Sequence, residues 1–245
     1  MNESWGALWI PWTLFLAGAI AITSMGVAKL WARRHERATN SLVTHGLMAI
    51  LSVAAIAGLS QGRFEAFGFT VGTFRWSFLL LLWTIPSAVL TLPRLAGRGG
   101  GPPATPFGLS PAQTVVRVWV VASIAEEILT RGLIQSSLGV LSDVGFSVGA
   151  HFLSLPVLTG ALAFSAMHLV LLKRIGAKAA PVLVVAFLLG CIAGVYRETT
   201  GSLIPAVLVH MLFNVGGAVP LWVAGAVRAR RATRAPRAGD RGEGG

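Results

Sequence analysis

Seven apolar runs divide the chain, at roughly 7–28, 42–60, 76–92, 113–140, 146–172, 180–196 and 203–227, and the short stretches between them carry most of the charge. Each run is built mainly of Leu, Ala, Val, Ile, Gly and Trp. Each is close to the about 20 residues a helix needs to cross the hydrocarbon of a bilayer. The pattern predicts an all-α fold, a polytopic transmembrane helix bundle of about seven spans. No Lys or Arg precedes the first run and a basic cluster follows it, the reverse of a secretory leader, so the run is expected to stay as an anchor. Residues 97–106, GRGGGPPATP, are too rich in glycine and proline for regular structure. They suggest four parts: three N-terminal spans (1–93), a linker (94–112), a four-span core (113–227) and a basic tail (228–245) expected to be disordered.

Composition sharpens this picture. Some 54% of residues are apolar and 12% charged, with a mean hydropathy of +0.72, whereas soluble domains run at about 45–50% and about 25%. A water-soluble globule and a disordered chain are both excluded, and the lone Cys191 rules out an internal disulfide. A net charge of +11 would suggest nucleic acid in a soluble protein, but the placement of the basic residues argues against that partner and for a lipid bilayer. Lys29, Arg33, Arg34 and Arg37, then Arg94 and Arg98, then Lys173, Arg174 and Lys178, lie in the odd-numbered connections, and six arginines lie in the tail. Those fifteen face only Arg63, Arg75 and Arg197 in the even-numbered connections. The bias predicts an N-terminus outside the cell and a cytoplasmic tail. The Ala-, Arg- and Gly-rich composition suits a bacterial chain, hence a bacterial inner (plasma) membrane.

Polar residues inside the spans carry the chemistry, because a carboxylate in hydrocarbon persists only against a partner or a cavity. The fourth run holds Glu126 and Glu127 side by side, with Arg131 following. On a helix Glu127 and Arg131 stand at i and i+4, suited to an ion pair, while Glu126 points about 100° away. One glutamate can then be structural and its neighbour reactive. The fifth run places Phe164 and His168 four residues apart, and the seventh places His210 and Asn214 at the same spacing. Together they supply a carboxylate, two imidazoles and a carboxamide, a set that an apolar bundle does not need.

The ordered motifs Glu-Glu-x-x-x-Arg, Phe-x-x-x-His and His-x-x-x-Asn resemble those of the CPBP family, intramembrane proteases related to the type II CAAX prenyl endopeptidases and to bacteriocin self-immunity proteins. The resemblance covers about 113–217, including the approach YRETTGSLIPAVLVH to His210. It implies an endopeptidase acting on a peptide or membrane-anchored substrate. Glu126 and His168 would hold and deprotonate a water, His210 and Asn214 would donate to the oxyanion, and Glu127, Arg131 and Phe164 would support them. No cofactor is required in that reading. In an alternative, Glu126, His168 and His210 would be ligands of a catalytic zinc. A binding or immunity protein of the same fold without catalysis is a further alternative, and a proton-coupled transporter is a more distant one.

Depth sets a condition on a shared site. His168 lies near the inner end of its run and His210 only about seven residues into a run entering from the outer side. The seventh helix must start deep, with Gly201 and Pro205 delaying its entry, or the fifth must extend. Other polar residues read as ordinary: His35, His45 and His151 as interfacial, Gly190 and Gly194 as a close helix contact, and Cys191 as packing.

Overall fold

A computed structural model describes residues 3–35, 40–72, 111–149, 151–171, 176 and 180–215. The third expected span (76–92), most of the linker, the end of the last run and the basic tail lie outside the described residues.

Helix α1 (Glu3–Trp31) and helix α2 (Asn40–Ser60) are apolar on all sides, as a helix surrounded by lipid or protein must be. Helix α3 is composite: α-helical turns at Pro111–Thr114 and Ser123–Glu127 alternate with wide π-type stretches at Val115–Ala122 and Ile128–Gln135. Wide turns of this kind are frequent at functional sites, and here they bracket the two glutamates. Strands β1 (Gly145–Val148) and β2 (His151–Ser154) then form an antiparallel hairpin. Helix α4 (Leu155–Met167) closes in a 3-10 turn at His168–Leu171. Helices α5 (Ala180–Thr200) and α6 (Leu203–Val215) complete the bundle.

The hairpin corrects the fifth expected span, whose first residues pair as strands instead of continuing a helix. Gly149, at φ +60, supplies the left-handed turn residue that a tight hairpin needs. Ser154 then starts α4, its hydroxyl accepting from the Val157 N–H at 3.3 Å, with proline in the first turn. Arg197 is a second correction: it belongs to the last turn of α5, not to a connection, and is buried.

Trp9–Trp31, Ser41–Ser60 and Ala180–Thr200 are long and apolar enough to cross a membrane. Phe15, Ile22, Ile50 and Leu162 stand on the outer surface, each more than 60% exposed. So much bare hydrocarbon would drive aggregation in water and is at home in lipid. This is an integral membrane protein.

Two clusters hold the bundle together. Ala17, Ile20, Met48, Ile56, Leu129 and Leu133 join α1, α2 and α3. Phe164, Ala186, Leu189, Tyr196 and Val209 join α4, α5 and α6. Between them, α3 is stitched to α5 by polar side chains: Arg131 Nη2 donates to the Gly190 carbonyl and Gln135 Nε2 to the Gly194 carbonyl, both at 2.9 Å. The same glycines admit α4, since a Cβ on Gly190 would lie 2.8 Å from Ala161 Cα and 3.1 Å from Arg131 Nη2. Neither neighbour can yield cheaply. Gly190→Ala should therefore cost about 1–3 kcal/mol, read as a lower unfolding midpoint in detergent; an unchanged midpoint would show that the helices are not in close contact there.

The segment after α2 reaches across to the other half. A 3-10 turn at Phe64–Phe67 leads into Gly68, whose carbonyl accepts from Leu203 N–H at 2.9 Å, while the Ala66 carbonyl accepts from Arg197 Nη2 at 2.8 Å. Ser202 Oγ donates to the Thr70 carbonyl at 2.5 Å. Gly68 combines a φ of +91 with a position where a Cβ would meet Arg197 Nε at 2.5 Å, so no larger residue fits. Beneath this strap Ser202, Leu203 and Pro205 are already buried. Helix α6 thus starts deep, after Gly201 at φ +69.

Candidate active site

Helix α3 presents its two glutamates differently. Glu127 is sealed from solvent, whereas the side chain of Glu126 keeps 16% of its surface exposed. Glu127 Oε1 accepts from Arg131 Nη1 at 3.2 Å and from His210 Nδ1 at 2.9 Å. Arg131, equally buried, also donates to Thr130 Oγ1 at 2.5 Å and lies with its guanidinium carbon 4.9 Å from the centre of the Phe164 ring. Glu127 Oε1 and both Nη atoms of Arg131 are partnered, while among the described residues Glu127 Oε2 and Arg131 Nε meet no hydrogen-bond partner, so removing either member would leave a buried, uncompensated charge. The i, i+4 pairing expected from the sequence is present and has recruited a histidine from α6.

That recruitment orients His210. With its Nδ1–H given to Glu127, the ring turns Nε2 toward Glu126 Oε2, 3.8 Å away. His168 follows the same rule with a different acceptor: Nδ1–H donates to the Phe164 carbonyl at 2.9 Å, leaving Nε2 as the available nitrogen. Its ring lies within electrostatic reach of Glu126. Phe164 is the wedge between the two imidazoles, 5.0 Å from His168 and 5.1 Å edge-on from His210. The Phe164 ring reaches from His168 to His210, and α6 is buried within the protein from its first turn.

Asn214 lies one turn beyond His210, and its Nδ2 donates to Ser123 Oγ at 3.0 Å and, at the longer distance of 3.5 Å, to the Val118 carbonyl. Ser123 precedes Glu126 by one turn of α3, so Asn214 borders the same strip of that helix. Glu126, His210 and Asn214 therefore border one strip of α3, and His168 is linked to them through the Phe164 ring.

One member of the cluster escaped the sequence reading. His45 of α2, read as interfacial, also faces into the bundle: its Nε2 lies 3.3 Å from Glu126 Oε1, and its side chain is only 18% exposed. A histidine within an apolar run was itself a signal, but no motif linked it to α3. His35 is exposed and stacked on Trp31, as expected of an interfacial side chain. Cys191 is buried near Arg131.

Among the described residues no group of three His, Cys, Asp or Glu side chains is arranged to hold a metal ion. Glu126, His168 and His210 do not fit a three-ligand set as they stand.

Residues 108–216 match the family described as Rce1-like, type II CAAX prenyl endopeptidase Rce1-like. That description is one of the CPBP family, which this segment therefore resembles. No curated protein and no solved structure matches the chain significantly. The CPBP segment begins just before α3 and ends just after α6, so it contains Glu126, Glu127, Arg131, Phe164, His168, His210 and Asn214 but not α1, α2 or the strap. A CPBP domain implies a hydrolase of peptide bonds.

Proposed function

We propose that this protein is an intramembrane endopeptidase in which Glu126 activates the attacking water directly. The observation that carries the reading is the contrast between the adjacent glutamates: Glu127 is buried in an ion pair, while Glu126 stays partly open and is bordered by imidazoles. Glu126 takes the proton of a water that the free nitrogen of His168 also holds. His210 is kept in one orientation by Glu127, whose charge balances a proton arriving on Nε2. That proton is the one Glu126 took from the water; the resulting Nε2–H donates to the oxyanion, and the proton leaves on the amine product as the peptide bond breaks. Asn214 supplies a second N–H from the next turn by exchanging its long 3.5 Å contact with the Val118 carbonyl for the oxyanion. Proton transfer and charge stabilisation are then both assigned to side chains of the chain itself, with no metal needed.

The family's description points to a substrate ending in a prenylated CAAX sequence, and unprenylated membrane-anchored peptides offer the same scissile bond. The test is hydrolysis of a farnesyl-cysteine peptide and its unprenylated counterpart by the purified protein. Cleavage should survive chelation, and Asn214→Ala should slow it by about 10²–10³, the size of one lost oxyanion donor. Loss of activity on chelation with restoration by stoichiometric zinc would give the mechanism to a metal. Peptides bound but left intact would favour a sequestering immunity protein.

We also infer that the N-terminus lies outside and the tail in the cytoplasm. The basic residues of the connections and tail support this even after Arg197 is assigned to α5. A reporter fused after Gly245 and found on the outer side would reverse the orientation.

A further inference from the structure

His45 lies outside the segment that matches the family, on a helix that packs Met48 and Ile56 against Leu129 and Leu133 of α3. An imidazole in an apolar span is costly unless something uses it. Its hydrogen-bonding capacity is fully committed. Nδ1–H donates to the Ser41 carbonyl at 2.7 Å, with Ser41 Oγ also 3.3 Å away. That leaves Nε2 facing Glu126 Oε1 at 3.3 Å. A neutral ring with its proton on Nδ1 and an ionised carboxylate would meet as two acceptors, so the contact requires a proton between Nε2 and Oε1. For Glu126 to be free to take a proton from water, that shared proton must sit on His45.

We propose that His45 is a positioning residue for Glu126, holding Oε1 through Nε2 so that Oε2 is turned to His210 and the attacking water. The proposal rests on the reading of Glu126 as the base. It makes the reactive carboxylate a joint product of the two halves of the chain: α3 carries it and α2 aims it. The four groups around Glu126 then divide the work. His45 fixes one oxygen and His210 borders the other, at 3.8 Å. His168 shares the water, and Glu127 reaches Glu126 only through His210.

The test uses the full chain purified in detergent, with three substitutions of His45 assayed on the two peptides. His45→Phe keeps a ring of similar size but has no nitrogen; His45→Gln keeps an N–H that reaches about as far as Nε2. His45→Ala and His45→Phe should lower kcat by about 10–100-fold, the penalty of a misplaced reacting group. KM should change by less than about twofold in both, since the substrate does not touch His45. His45→Gln should recover most of the rate, because its amide restores a donor to Oε1. Phe as active as wild type would mean that His45 is packing, and Gln no better than Phe would mean that a donor to Oε1 is not what matters; either overturns the proposal. If His45→Ala fails to fold, the Phe and Gln pair still decides.

Wild type and Glu126→Gln in the same assay separate this proposal from the reading beneath it. Equal rates for those two would remove Glu126 as the base, whatever His45 does. Independently of turnover, histidine labelled with ¹⁵N reports the contact. The Nε2 resonance lost in His45→Gln should move in Glu126→Gln, and an unmoved resonance overturns the proposal.

Discussion

Glu126→Gln should lower peptide hydrolysis by at least about 10³-fold, within the range that a positioned general base contributes, while the protein unfolds at nearly the wild-type temperature. The amide has the size and shape of the carboxylate and can still meet His45, but it has no basic lone pair with which to accept a proton from water. Glu126 is also the less buried of the two glutamates and takes no part in the Glu127–Arg131 ion pair, so its charge is not a pillar of the fold. Activity that survives the substitution would sink the assignment of Glu126, and a protein that unfolds would show the carboxylate to be structural. Measured together, turnover and unfolding midpoint separate these outcomes.

Arg131→Ala should have the opposite signature, a loss of folding before any question of rate arises. Its guanidinium is fully buried and donates to Glu127, Thr130 and the Gly190 carbonyl while covering the Phe164 ring. Removing it leaves a buried carboxylate without its cation, a change that costs about 3–5 kcal/mol in comparable pairs. It also takes one of two donors from Glu127 Oε1, the atom that orients His210, and removes one of the two polar stitches between α3 and α5. Arg131→Lys should rescue little, because an ammonium cannot reach three acceptors in one plane. The measurements are the folded yield and the thermal midpoint in detergent. A stable, active Arg131→Ala variant would mean that the network contributes nothing to the fold.

Much of this arrangement is legible in the sequence where it depends on local spacing. Glu127 and Arg131 meet because i and i+4 residues share a helix face, and Gly190 and Gly194 lie at a close crossing for the same reason. Local spacing does not report what crosses between elements. His45 is separated from Glu126 by more than eighty residues, and nothing around it marks a site, so only the packing of α2 on α3 reveals its role. The hairpin is hidden for another reason: Phe146, Val148, Phe152 and Leu153 are as apolar as a span, and the strand alternation is overridden by overall hydropathy. Gly149 was the one local hint. Arg197 misleads similarly, since a cation near the end of an apolar run is read as a loop residue unless the carbonyl that accepts from it, here Ala66, is already known.

The strap from Phe64 to Thr70 bears on how such a protein can diverge. It contributes the Gly68, Ala66 and Thr70 carbonyls that receive Leu203, Arg197 and Ser202, and it joins the helix that carries His45 to the helix that carries His210. The first half of the chain is therefore not an interchangeable lid that can be swapped among relatives while the reacting segment stays constant. A hybrid that inherited α3 to α6 from this protein and its leading helices from another would lose both the clasp and the aim of Glu126.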